Sequence, residues 1–289
     1  MKYFGTTITI ISLILLSCCI SIRPTTMYTG ISKINDSVYI DIAEVDVHAW
    51  LSYYTWKLNY EGQTAANKVL PDKNAIDPEI WEYINSKSNY FSGFESSLTN
   101  QPLGNFEIKC DNLAKRNKNL YYSSLANCPF LITPITGVSY EQVVDFCEWR
   151  TKIIGAGVII FRLPSNAEWT NIVKAGLSDE ERKSGDRDSI ISTDNRCRLF
   201  NYKVTNPCKE MVETGYSQSK LQVIASNEPD KNKIYDTFGN VSEMVSEKGM
   251  SKGGNYLVYA NQCHPDSVQY YSKPEKWLGF RCIAIKKNK

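Results

Sequence analysis

Residues 235–245 read Tyr-Asp-Thr-Phe-Gly-Asn-Val-Ser-Glu-Met-Val, with Asp236 and Glu243 on either side of a Gly239-Asn240 turn. The segment is otherwise apolar enough to be buried. Two buried carboxylates with no basic partner in view are costly unless something neutralises them. Any fold this chain adopts must therefore bring a cation to the turn or leave the turn in water. In the second case both acids are solvated and Gly239 simply supplies a positive φ.

The N-terminus is set apart from the fold. Met1 and Lys2 precede an apolar run from Tyr3 to Leu16, followed by Ser17 and Cys18. A positive start, a short apolar core and small residues describe an export signal, and the run is short for a membrane span. With its cysteine at the cut site it resembles the lipobox of bacterial lipoproteins. That resemblance implies a signal peptide over 1–17, acylation (palmitate) at Cys18 and a lipidated tether over 18–30. An uncleaved anchor and an ordinary signal peptide are the competing readings. Several acyl chains anchor a protein stably where a single one is marginal.

The remainder, 31–286, is long enough for one sizeable core. Lys and Arg number 33 against 31 Asp and Glu, with no long run of either sign, so a nucleic-acid partner has no electrostatic support. Nine cysteines without a CxxC pair fit an exported, disulfide-bearing protein better than a zinc ribbon. Connectivity is open at this level, with Cys197–Cys208 and Cys110–Cys128 as plausible local clips.

Along the chain, "VYIDIA" (38–43) reads as a strand, and 46–58 as a helix capped by Asp46. Asp77-Pro78 opens a second helix with Ile80, Trp81 and Ile84 on one face. Residues 86–128 and 178–233 are polar and aperiodic and read as long loops. Ser139/Gln142 and Ser165/Glu168 have capping-box spacing, each followed by an apolar stripe. "GVIIFRLP" between them is a short strand. The end, from "SKGGNY" to "LGFRCIAI", reads as two strands around a long loop.

Four segments, in order, are "GVSYEQVVDFCEWR" (137–150), "FRLPSNAEW" (161–169), "YDTFGNVSEMV" (235–245) and "SKGGNY…LGFRC" (251–282). Together with "YIDIAEVDVHAW" (39–50) they resemble the formylglycine-generating enzyme or sulfatase-modifying-factor family across roughly the whole mature chain. "FCEWRT" is also similar to that family's members among the gliding-motility and type IX secretion lipoproteins of Bacteroidota. The resemblance implies a single, loop-rich α+β domain, a formylglycine-generating-enzyme-like variant of the C-type lectin fold.

It also implies ligands. In the 235–245 turn, Asp236 and Glu243 would give carboxylates to calcium, and Gly239 and Val241 main-chain carbonyls, a donor set calcium accepts. A second calcium set would draw on Asn201, Tyr202 and Tyr216, with Glu44 contributing. There Thr214 stands where the family has an acid, which weakens the set. Cys147 and Cys282 match a family disulfide, whose loop is worth roughly 4–5 kcal/mol on chain-entropy grounds.

The family's chemistry is harder to place. Oxygen-dependent members hold copper with two cysteines five residues apart; here Cys263 takes the first position and Val268 the second. One thiolate does not make the two-coordinate site soft Cu(I) prefers, so copper is not expected. With only His48 and His264, a three-histidine iron site is excluded. A Cys263/His264 nucleophile pair lacks an orienting third group. The expectation is a non-catalytic, lipid-anchored protein of the bacterial envelope, at the outer membrane. It would bind a protein or glycan, or help assemble a secretion or gliding complex, with Tyr259, Tyr270, Tyr271 and Trp277 as aromatic anchors. The alternative is an oxygen-dependent protein-modifying oxidase with an altered site at Cys263.

Overall fold

The computed structural model describes residues 30–91, 131–155, 157–177, 200–203, 220–227 and 229–287. The lipobox, Cys110, Cys128, Cys197, Cys208 and Tyr216 lie outside them.

The expected local signals place the helices. Asp46 caps α1 (Val47–Glu61), its side chain accepting from the Ala49 amide at 2.8 Å. After α2 (Gln63–Lys68) comes α3 (Pro78–Phe91), which buries Ile80 and Ile84. This corrects the loop expected from 86, since the helix runs on through 91. Ser139 and Gln142 cap each other at the start of α4 (Tyr140–Ile154), and the Gln142 amide also donates to the Lys68 and Leu70 carbonyls. Ser165 and Glu168 form the same box on α5 (Asn166–Gly176). There Arg162 forks onto Glu168 at 2.8 and 2.7 Å, and with burial opposing, that fork holds the Glu168 carboxyl down to about 2.

Two small sheets face these helices. The first runs β1 (Ile31–Lys33), β2 (Val38–Asp41), β8 (Ile283–Lys286), β3 (Ile159–Arg162), all antiparallel, with Ile285 opposite both Val38 and Ile160. The second runs β6 (Gln269–Tyr270), β5 (Met250–Lys252), β4 (Ser242–Met244), β7 (Leu278–Gly279), in which β4 and β7 are parallel. The C-terminal region thus holds four strands, not two.

The main core lies where α1 and α4 meet the first sheet. Trp50 stacks on Phe146 at 5.5 Å between centroids, and Tyr53, Trp149 and Phe280 close round them. A second cluster gathers Trp169, Val173, Phe238, Val245 and Cys263, and a third joins Ile40, Ile172, Ile234 and Ile283. Hydrogen-bonded turns and buried side chains thus connect the short elements.

The α1 cap has a pH consequence. Burial pushes the Asp46 carboxyl up to about 7, above the roughly 4 of an unfolded aspartate. The folded state therefore holds this proton more tightly. Its contribution to stability is fully present below about pH 4 and is lost as pH rises through 7. Asp46→Asn keeps a good cap. Its melting temperature is expected to gain on wild type as pH rises from 4 to 8; a constant difference over that range would show that Asp46 does not titrate there.

Candidate functional site

The 235–245 turn is built from residues in the left-handed region. Asp236, Gly239 and Asn240 have φ of 51°, 80° and 54°. Aspartate and asparagine tolerate this conformation; at Gly239 the demand is stricter, because a Cβ would overlap the Asn201 carbonyl oxygen. That oxygen accepts from the Asn240 amide at 2.7 Å, while Gly239 N–H donates to the Gly253 carbonyl at 2.8 Å. The turn is clamped between two separate stretches of chain.

Glu243 has a basic partner, 38 residues downstream. Arg281 Nε donates to Glu243 Oε2 at 2.7 Å and Arg281 Nη2 to Glu243 Oε1, while Trp169 Nε1 adds a third bond at 2.7 Å. Both members of the pair are completely buried. Burial works against the Arg281 charge, but Glu243 overcomes this and holds the guanidinium more firmly protonated than usual. Its remaining N–H groups reach the Asp41 and Tyr235 carbonyls. Glu243, expected as a calcium carboxylate, is thus neutralised by an arginine fork.

The other acids lack a fork of their own and feel Arg281 only at longer range. Asp236 accepts from the Ala225 amide at 2.6 Å and Asn227 Nδ2 at 2.7 Å, and burial pushes its carboxyl up. Glu44 Oε1 accepts from Asn240 Nδ2 at 3.0 Å; its Oε2 is buried with no hydrogen-bond partner. Burial first, and Asp236 second, push the Glu44 carboxyl well above its usual range. On the other side of Asn240, Asn201 Nδ2 donates to Asn240 Oδ1 at 3.0 Å, and Asn201 Oδ1 is also buried without a partner. The Asn240 amide, in the first calcium turn, thus bridges Glu44 and Asn201, which the sequence assigns to the second ion set. Three buried carboxylates share one guanidinium, and two buried oxygens are left unsatisfied.

That donor set is all oxygen and suits a hard cation such as calcium. Glu44 and Asn201 offer the unsatisfied side-chain atoms, with Asp236 and the main chain at Gly239 and Val241 close to Asn240 along the chain. Among the described residues, no three His, Cys, Asp or Glu side chains form a metal-holding group by themselves, so main-chain and amide oxygens would have to complete the shell. Tyr202 packs against the Trp169 cluster.

A second buried fork braces the same region. Arg150 donates to both Asp41 oxygens at 2.7 Å, and Asp41 Oδ2 also accepts from the Cys282 amide at 2.9 Å. This positions Cys282 beside Cys147, the two sulfurs 3.5 Å apart and buried. The two cysteines of the family pairing are thus neighbours, as free thiols rather than as a closed disulfide.

In the 257–277 loop, Cys263 is 2% exposed, packed on the Gly254 backbone and within reach of the Tyr259 carbonyl at 3.7 Å. His264 Nδ1 accepts from the Asp266 amide at 3.2 Å, and Lys174 pairs with Asp266, while His48 lies on α1. Of the four aromatic anchors, Tyr259 and Tyr270 are exposed, and Lys203 Nζ lies 4.9 Å from the Tyr259 ring. Tyr271 and Trp277 instead pack against the main core, which removes most of their surface from any contact.

Sequence reading missed Arg281, Asp41, Arg150 and Asn240 as the residues that organise this centre. The available signal was an arginine alone inside the apolar stretch "LGFRCIAI", which has to be buried and therefore paired. Lys252 was missed too: it is 1% exposed, its Nζ sits 5.8 Å from the Trp169 ring centroid, and burial lowers its pKa.

Taken together, fold and centre define a loop-rich α+β domain organised round a buried, acid-rich polar core. Residues 116–286, more than half of the chain, match the sulfatase-modifying factor enzyme 1-like domain (FGE-sulfatase), and the chain belongs to this family. Similar solved structures include variable protein 1 of Treponema denticola, at 16% identity over 54% of this chain and 72% of that one, with a TM-score of 0.40. CarF is 20% identical over 55% and 69%, with a TM-score of 0.40. PvdO from Pseudomonas aeruginosa is 18% identical over 54% and 63%, with a TM-score of 0.39. No curated protein matches the sequence.

Proposed function

We propose that this chain is a lipid-anchored, non-catalytic protein of the bacterial envelope, at the outer membrane. It uses the sulfatase-modifying-factor scaffold to bind a protein or glycan, or to help assemble a secretion or gliding complex. The observation that carries the reading is the setting of Cys263. Its sulfur lies in an apolar cluster with Trp169, Val173, Phe238 and Val245, 2% exposed, and Val268 offers no second thiolate. A copper-binding cysteine needs a thiolate partner and access for substrate. Tyr259 and Tyr270 are the exposed rings from which partner contact would start.

The same reading assigns calcium a structural role at the Asn240 centre, held by Glu44, Asn201, Asp236 and main-chain carbonyls of the turn. Its support is the surplus of buried acid and the two oxygens left without partners.

Catalysis is tested directly. Protein loaded with copper and offered a cysteine-containing sulfatase peptide is expected to consume oxygen no faster than peptide and copper alone. Uptake that disappears in Cys263→Ser would make the chain an oxidase and end the non-catalytic reading.

A further inference from the structure

We propose that one end of the domain is a docking face for anionic phospholipid headgroups, so that the tethered domain rests on the membrane in a fixed orientation. The proposal rests on the lipid-anchored reading for where the membrane lies; the face itself is read from side chains.

Several segments converge at this end. The last residues of β8 meet the β1–β2 turn, Lys286 N–H donating to the Ser37 carbonyl at 2.8 Å. One residue on, Lys287 N–H donates to the Val158 carbonyl at 2.7 Å, in the turn that follows α4. From the last turn of α4, Lys152 Nζ reaches to 4.9 Å from the Trp56 ring, which stacks on Tyr60 at 5.2 Å. Lys33 lies at the β1–β2 turn, paired with Asp36. Lys33, Lys152, Lys286 and Lys287 are all exposed.

Acids are present but committed or set back. Asp36 and Lys33 pair at 2.8 Å and cancel, Lys57 is shared by Glu61 and Asp145 at 2.9 Å each, and Glu148 lies a turn further back along α4, so among the described residues here the free positive charge rests on Lys152, Lys286 and Lys287. Between the lysines, Tyr60 is 74% and Val158 44% exposed. Lysines around an exposed ring and an aliphatic side chain match what the headgroup layer accepts: cations for anionic phosphates, and an amphipathic ring at the boundary.

The chain outside the structure makes the encounter possible. Residues 1–29 enter at Gly30, directly before β1, whose last residue is Lys33. A tether over 18–29 spans at most about 40 Å when extended, so the domain is kept within reach of the bilayer it is anchored in. Each lysine at such a surface raises partitioning about fivefold, and the effect is screened within a Debye length.

The test uses the full-length chain carrying Cys18→Ala, so that acylation does not mask the face. Its partitioning is measured on vesicles of phosphatidylcholine alone and on vesicles that also contain phosphatidylglycerol. Neutral vesicles report whatever the apolar N-terminal segment contributes; the excess on anionic vesicles reports the face. That excess is expected to fall with added salt. It is also expected to drop about tenfold or more when Lys152→Gln, Lys286→Gln and Lys287→Gln are combined. The pair Lys273→Gln and Lys276→Gln, on the remote 272–277 loop, is expected to leave it unchanged. Far-UV circular dichroism and the melting temperature check that the triple variant is folded. Should it fail that check, Tyr60→Ser is read in its place and must also weaken anionic binding.

Equal partitioning onto both vesicles, or the same loss in the remote pair, overturns the proposal. Palmitate labelling of the wild-type chain in bacteria is read separately. If Cys18 is not acylated, the anchor fails while the vesicle result stands, and the two failures are distinguishable.

Discussion

Replacing Arg281 by methionine is expected to lower stability by about 3–5 kcal/mol, enough to unfold a marginal domain at moderate temperature. The loss is not that of one salt bridge. Glu243 keeps its burial and its Trp169 bond but loses both guanidinium contacts, and the Asp41 and Tyr235 carbonyls lose a donor. Breaking a buried pair from one side strands a charge, which costs more than never having had the pair. Adding Glu243→Gln to Arg281→Met is therefore expected to recover part of the loss, because a neutral amide oxygen still accepts from Trp169. The measurement is the urea midpoint of the two variants and wild type. A single-variant loss below about 1 kcal/mol would mean that the pair is wet and behaves like a surface one.

The second large effect is linked to calcium. Without the ion, Glu44→Gln is expected to stabilise the protein at neutral pH. It removes a carboxylate whose ionisation burial and Asp236 both oppose, yet keeps an oxygen for Asn240 Nδ2. The sign follows from linkage: with the folded pKa raised, wild type is favoured below the unfolded value and loses that advantage as pH rises through the folded one. Added calcium should reverse the order. Wild type would gain about 2.7 kcal/mol at a hundredfold excess over its dissociation constant, and the glutamine variant much less. Thermal melts with calcium and with chelator, on both proteins, decide this. Identical responses in the two would remove Glu44 from any ion site.

How far the sequence could be read depended on the range of the interaction. Asp46, Ser139 with Gln142, and Ser165 with Glu168 act within three residues of themselves, and each helix start fell where expected. The extension of α3 to 91 runs through serines and asparagines, weak helix formers that give little local signal. Strands of two to four residues such as β5, β6 and β7 are too short to show alternation. At the polar centre, the motif residues Asp236, Gly239 and Glu243 were legible. What neutralises Glu243 was not, because Arg281 lies 38 residues away and only the fold joins them. The same holds for Glu44 and Asn201, assigned from sequence to another ion set and brought by the fold to opposite sides of one asparagine amide. Burial of Tyr271 and Trp277 likewise follows from tertiary packing that no local pattern announces.

The position of β8 bears on how such a polypeptide is made. Its four residues, 283–286, lie between β2 and β3, so the earliest strands of the domain share no edge with β3 until β8 arrives. During synthesis, β2 emerges more than two hundred residues before β8, and the first sheet can close only once nearly the whole domain has been made. Until then the β2 edge that β8 covers stays unpaired. A fusion or nick that disturbs 283–286 would act at the keystone of that closure rather than at a dispensable tail.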